Sequence, residues 1–172
     1  MKKYTMWLFL IGSLAMMVIM SKSGGVLSKV TRWGILDLEF AYSKAKADAV
    51  LNAWTAAGPD DTIAAAKLNT GLDFIFLFCY SIFLFLAASR ISRIFGGGFG
   101  KAGKFIARGA LAAGVLDVLE NGGMLLSLSG HGSNIIAFCT SFCSVIKWAL
   151  ALLAVLYILT GAVGWLRSRL LK

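Results

Sequence analysis

The chain has 172 residues, 59% of them hydrophobic, and a mean hydropathy of +0.81. A soluble domain of this length must cover much of its surface with polar side chains, so the composition excludes one. The net charge of +9 would point to nucleic acid in a soluble protein. Here the basic residues lie mostly at the ends of apolar blocks, as membrane orientation requires, and no basic, aromatic surface is left over for nucleic acid.

The first apolar block, Tyr4 to Met20, follows Lys2 and Lys3. A signal peptide begins the same way, but Ser21-Lys22-Ser23-Gly24-Gly25 is a poor cleavage site, so the block reads as a retained first span entering from the cytoplasm. Residues 21–70 carry six basic and five acidic residues. Within them Trp33, Leu36, Phe40, Ala47, Val50, Leu51 and Trp54 recur at helical spacing, while Asp37, Glu39, Lys44, Lys46 and Asp48 fill much of the remainder. This predicts an amphipathic helix on the membrane surface or across the mouth of the bundle. Gly58-Pro59 ends it, and Asp60 or Asp61 can cap the helix that follows.

A second span is expected over about Leu72 to Ala88, a third over about Phe105 to Leu128 and a fourth over about Asn134 to Trp165. Arg90, Arg93, Lys101, Lys104 and Arg108 flank a Gly-rich loop, residues 90–104, between spans two and three. These uncompensated charges, with the basic termini (Arg167, Arg169 and Lys172 at the far end), belong on the cytoplasmic side. The expected fold is therefore all-α: a single-domain, integral membrane four-helix bundle with an external amphipathic helix. It would sit multi-pass in a cytoplasmic (inner) membrane with both termini cytoplasmic, leaving residues 21–70 and the short 129–133 loop outside.

Several chemical signatures fail. Gly98-Phe-Gly-Lys-Ala-Gly103 spells G-x-G-x-x-G, yet a membrane helix rather than a soluble βαβ unit lies on each side. Gly100-Lys101 is not a phosphate loop, because Phe95 stands at the first glycine and Ala102 at the Ser/Thr. Cys79, Cys139 and Cys143 fall inside apolar blocks with no C-x-x-C, where cysteine serves as a small filler, although a Cys79–Cys139 bridge is geometrically possible. With His131 as the sole histidine, neither a bis-histidine haem nor a His-rich metal set can be built, and no cofactor is implied.

The informative residues are polar groups within the spans. Asp117, Glu120 and Asn121 stand at i, i+3 and i+4 and so share one helical face. A charge at the bilayer centre costs roughly 2.5–3.5 kcal/mol on insertion scales, so this face should look into the bundle. Counting depth at about 1.5 Å per residue puts Glu120 near Tyr80 and Asp117 near Lys147, which predicts an Asp117–Lys147 ion pair, with Asp73 at the outer rim. Ala110, Ala113 and Gly114 continue the stripe toward the cytoplasm and permit close helix approach. That half should be sealed and the outer half polar. A structural clamp would more cheaply use one ion pair or neutral amides, whereas three acids against one lysine suggest a site.

Gly71-Leu-Asp-Phe-Ile-Phe-Leu-Phe-Cys-Tyr80 and Ala113-Gly-Val-Leu-Asp-Val-Leu-Glu-Asn121 resemble an uncharacterised family of small bacterial four-span membrane proteins, with an L-D-F motif opening the second span and an L-D-x-x-E-N motif in the third. Leu38-Glu-Phe-Ala41 and the helix ending near Trp54 are similar to that family's first-loop segment, so the resemblance covers about residues 36–128. It implies that Asp73, Asp117, Glu120 and Asn121 form one motif set, and it supplies no activity. A looser architectural likeness exists to sterol-isomerase-like and sigma-receptor-like proteins, which use buried acids in a membrane cavity. The leading expectation is an outward-facing polar pocket of Asp73, Tyr80, Asp117, Glu120, Asn121 and Lys147 that binds or transports a small amphipathic or cationic ligand, or protons, amid membrane lipid. The alternatives are a scaffold subunit among other membrane subunits and, less favoured, an intramembrane enzyme using Glu120 or Asp117 as acid or base.

Overall fold

The structure is a computed structural model that describes residues 4–170, the side chains of residues 59 and 60 excepted. Lys2, Lys3 and Lys172, which enter the orientation reading, lie outside the described residues. Among the described residues there are six α-helices and no strand: α1 (Tyr4–Leu27), α2 (Ile35–Glu39), α3 (Lys44–Ala57), α4 (Pro59–Ile94), α5 (Gly97–Leu128) and α6 (Asn134–Leu170). Four of them, α1, α4, α5 and α6, are long and apolar enough to cross a membrane, the make-up of a multi-pass membrane protein.

The helix in the middle is α5, packed between α4 and α6, and its sequence explains why. Gly100, Gly103, Ala107, Ala110, Ala113, Gly114, Asp117, Glu120, Asn121 and Met124 are all buried along one stripe. Its lower part is made of residues too small to hold neighbours away. A Cβ placed on Gly114 would lie 2.8 Å from the Ser81 side chain of α4, closer than real side chains approach. In place of the expected Gly-rich loop there is helix: α4 runs to Ile94, α5 starts at Gly97, and the connection is two residues. Gly100 sits so close to the Ser92 and Phe95 carbonyls that no side chain fits there. Close packing overrides the poor helix propensity of glycine. Ala88, Ile91, Ala107 and Tyr157 close this end, with the Tyr157 ring stacked 4.5 Å from Phe99.

The first helix is peripheral. It packs along α4 and makes little contact with α5 or α6, and its outer face (Leu8, Ile11, Leu14, Val18) is exposed. The bundle is thus a trio of α4, α5 and α6 with α1 attached to one side, which leaves a cleft between α1 and α6.

The segment between α1 and α4 is two helices rather than one. Tyr42 turns the chain at φ +39° and Ser43 begins α3, its hydroxyl accepting from the Lys46 N–H at 3.4 Å. The turn preceding α2 needs Gly34, whose φ is +60° and whose missing Cβ would stand 2.7 Å from Ser28 Oγ. Pro59 opens α4 with Gly58 as N-cap and no side-chain capping bond, so Asp60 and Asp61 belong to the first turn and not to the cap. The α2–α3 pair lies across the mouth. Leu38, Ala41, Ala47 and Trp54 pack against Leu27, Ala65, Ala66, Met124, Leu128 and Ala137 in one apolar cluster. This overturns the expected polar, open outer half: Trp54 is completely buried there, its indole N–H donating to Thr31 Oγ1 at 3.1 Å.

If this lid is held by apolar packing, Trp54→Ala should lower unfolding stability in detergent by roughly 3–5 kcal/mol, the usual range for emptying a buried tryptophan site. Helical circular dichroism should be retained. A loss below roughly 1 kcal/mol would mean the cap is not a packed plug.

Candidate functional site

Between the apolar cap and the tight small-residue layer lies a polar layer. It begins with the α5 face. Asp117 Oδ1 is 2.6 Å and Glu120 Oε1 is 2.7 Å from Lys147 Nζ of α6. The ion pair expected from depth is present, and the lysine is shared by a second acid. Tyr80 of α4 donates its hydroxyl to Asp117 Oδ2 at 2.8 Å, so it meets Asp117 rather than standing level with Glu120; a phenol spans more than a helical turn. Asn121 donates through Nδ2 to Asp73 Oδ2 at 2.6 Å. Asp73 is half-buried and tied into the cluster, not left at a rim. All six expected residues thus belong to one assembly on three helices.

A fourth acid joins them from an unexpected direction. Glu39, the last residue of α2, is only 7% exposed. Its Oε2 lies 3.7 Å from Lys147 Nζ and accepts from Trp148 Nε1 at 3.4 Å. The backbone around it is clipped to α6: Ser141 Oγ donates to the Glu39 carbonyl at 2.7 Å and accepts from the Tyr42 N–H at 2.8 Å, while Asn134 Oδ1 accepts from the Lys44 N–H at 2.9 Å. Sequence reasoning placed Glu39 on a solvated face. One signal was available. Thr140, Ser141, Ser144 and Lys147 form a polar stripe on an otherwise apolar α6, longer than Asp117, Glu120 and Asn121 on α5 can match.

The polar layer opens sideways. A cavity of about 340 Å³ runs into the cleft between α1 and α6. Leu10, Ser13, Leu14 and Met17 line it from α1, and Ala151, Leu152 and Val155 from α6; its inner end is formed by Glu39, Asp73, Tyr80, Asp117, Lys147 and Trp148. Leu14, Met17, Trp148 and Leu152 at its edge are each about half exposed. The expected outward-facing pocket is therefore corrected to a side-facing one, because the cap closes the end and peripheral α1 leaves a flank open. Glu120 and Asn121 do not line this cavity; they stand behind its wall. A larger, shallow depression of about 560 Å³ lies on the cap between α2 and α3 and is lined by none of the clustered polar residues.

The charge balance is uneven: Glu39, Asp73, Asp117 and Glu120 face one lysine. A low-dielectric interior does not hold such an excess of ionised groups without protons or another cation. Glu120 Oε2, Asn121 Oδ1 and Thr140 Oγ1 are buried without hydrogen-bond partners. Cys79, Cys139 and Cys143 are all free thiols, so the Cys79–Cys139 bridge does not form. Among the described residues no group of three or more His, Cys, Asp or Glu is arranged to hold a metal ion. Compared with protein-family models, with curated proteins and with solved structures, the chain matches none.

Lys147→Met removes the one cation of the layer and should cost roughly 3–5 kcal/mol, as when one partner of a buried ion pair is deleted. Adding Asp117→Asn and Glu120→Gln to Lys147→Met should recover most of that loss, read by chemical unfolding of the three proteins side by side. An unaltered midpoint for Lys147→Met alone would show that the lysine does not hold the layer together.

Proposed function

We propose that this protein binds a small amphipathic molecule that reaches it sideways from the bilayer, its apolar part in the α1–α6 cleft and its polar part against the charged layer. The carrying observation is the cavity itself. Its walls are aliphatic and aromatic and continue onto lipid-facing residues, while its inner end bears Asp73, Tyr80, Asp117 and Lys147. Ligand sites have this composition, mostly apolar with a few converging polar groups, and a cavity of about 340 Å³ is at the small end of their range. Transport would require the α2–α3 cap to swing away from α6; binding requires no such movement.

Orientation forms part of the same reading. Arg90, Arg93, Lys101, Lys104 and Arg108 are exposed at the α4–α5 end, which supports placing that end and both termini in the cytoplasm and the cap on the far face of an inner membrane. The hydrogen bond between Asn121 and Asp73 supports treating the two sequence motifs as one set, in keeping with the resemblance to small bacterial four-span proteins.

A photoactivatable long-chain alcohol, equilibrated with the full chain in lipid vesicles, tests the cleft directly. Adducts should concentrate on Leu14, Met17, Leu152 and Val155, and Ala151→Trp, which fills the cleft, should abolish them while the chain still inserts. Adducts scattered equally over Phe138, Phe142 and the other lipid-facing side chains of α6 would remove the reading.

A further inference from the structure

The hydrogen-bonding inventory of the cavity goes a step beyond its shape. The side-chain donors on its wall are already committed, save the third N–H of Lys147, beside which Glu39 Oε2 stands at 3.7 Å. Ser13 Oγ donates to the Phe9 carbonyl at 2.7 Å, Tyr80 to Asp117, Trp148 Nε1 to Glu39, and Lys147 to Asp117 and Glu120. The acceptors are not exhausted. Asp117 has both oxygens engaged, but Asp73 receives a hydrogen bond only at Oδ2 and Glu39 only at Oε2. Among the described residues nothing donates to Asp73 Oδ1 or Glu39 Oε1. Both residues line the cavity, and Glu39 is more than nine-tenths buried. A ligand head that arrives here meets oxygens that need protons, and the one uncommitted N–H lies beside the Glu39 carboxylate.

Two further features favour a positive head. The layer carries more acids than its single lysine balances, so a cation relieves the excess and an anion adds to it. The rings of Phe76, Tyr80, Phe83 and Trp148 also line the cavity, and aromatic faces attract ammonium groups, most strongly where water is excluded.

We propose that the ligand of the side cavity is an amine, its protonated nitrogen held by Asp73 and Glu39 beside Lys147 and its apolar body lying between α1 and α6. Lys147 is the internal counter-charge that keeps Asp117 and Glu120 in place, and the remaining two acids are the ones that select. Phosphate- and carboxylate-headed lipids are rejected by the excess of acids around a single lysine, and a neutral alcohol gains the apolar contacts without the charge. This rests on the side-access reading above, and the test separates the two.

Three probes with the same chain, dodecylamine, dodecanol and dodecyl phosphate, are measured on the full protein in nanodiscs of zwitterionic lipid, with empty discs subtracted. The amine should bind saturably and at least about tenfold more tightly than either other probe, the worth of one charge-assisted hydrogen bond. Asp73→Asn and Glu39→Gln should each weaken the amine by about tenfold and leave dodecanol unchanged. Dodecanol or dodecyl phosphate binding as tightly as the amine would overturn the amine assignment and leave the cleft standing. So would full amine affinity in the double variant. Saturable binding of none of the three would overturn the cleft and the amine together. Should a variant fail to fold, the ranking of the probes on the unaltered chain decides alone.

Discussion

One ammonium group organises this molecule. Among the described residues Lys147 is the only cation in the buried layer, and it stands within ion-pair distance of Glu39, Asp117 and Glu120, which come from two other helices. Removing such charges from water is costly, and the cost is recovered only when they meet in good geometry. That requirement fixes three relations at once. The acid face of α5 must turn toward α6, α4 must bring Tyr80 to the second oxygen of Asp117, and α2 must descend far enough for Glu39 to join. Loops are free to vary around these relations, but the helices are not.

The remaining architecture distributes apolar bulk around that layer. Below it, alanine and glycine on α5 draw α4 and α6 into close contact toward the α4–α5 end. Above it, Trp54 and its neighbours plug the mouth. With both ends closed, the one open flank is the side on which α1 stands apart from α6. Ser13, Met16, Ser23 and Leu27 are the buried residues of α1, enough to seat it on α4 and too few to seal the cleft. Cleft and plug follow from the same economy. Apolar contact is spent on closing the ends, and the peripheral helix keeps its large side chains for lipid.

How far this could be read in the amino-acid order differs from element to element. Four apolar blocks and the shared face of Asp117, Glu120 and Asn121 are legible because membrane burial and helical period are strong local constraints. Depth counting brought Lys147 to Asp117 because both lie on long helices joined by a short connection. It misplaced Tyr80, since a long side chain reaches a level its backbone does not occupy. The break between α2 and α3 carries no glycine or proline, only the capping propensity of Ser43, so apolar spacing ran straight through it. Glu39 was hidden for the same reason: its depth depends on a fold-back that local pattern does not encode. The glycines at 97–103 read as a loop by propensity and are helix; at Gly100 the Ser92 and Phe95 carbonyls, and at Gly103 the Tyr157 and Ser92 side chains, occupy the space a Cβ would need. The peripheral position of α1 has no local signal at all; it emerges from which helices pack best on α5.

The function of the layer turns on what a purely structural clamp would need. Holding α5 to α6 takes a single matched pair, and Asp117 with Lys147 supplies it. Tying α4 to α5 takes a neutral hydrogen bond, and Asn121 could be satisfied by a serine or a backbone carbonyl. Placing further carboxylates beside these, in a region closed to water from both ends, adds desolvation without adding attachment. Such groups become useful when something positive and hydrogen-bonding comes to them. Exclusion of water then works in their favour, because the same low dielectric that makes an unmatched carboxylate costly strengthens its attraction to an arriving cation. Asp73 and Glu39 are the acids on the cavity wall with oxygens left over, they belong to different helices, and both border the cavity that reaches the layer. The excess acidity and the open flank therefore find one explanation in the proposed ligand: on that proposal the bundle holds its helices with Lys147 and keeps Asp73 and Glu39 for an amine that arrives through the membrane.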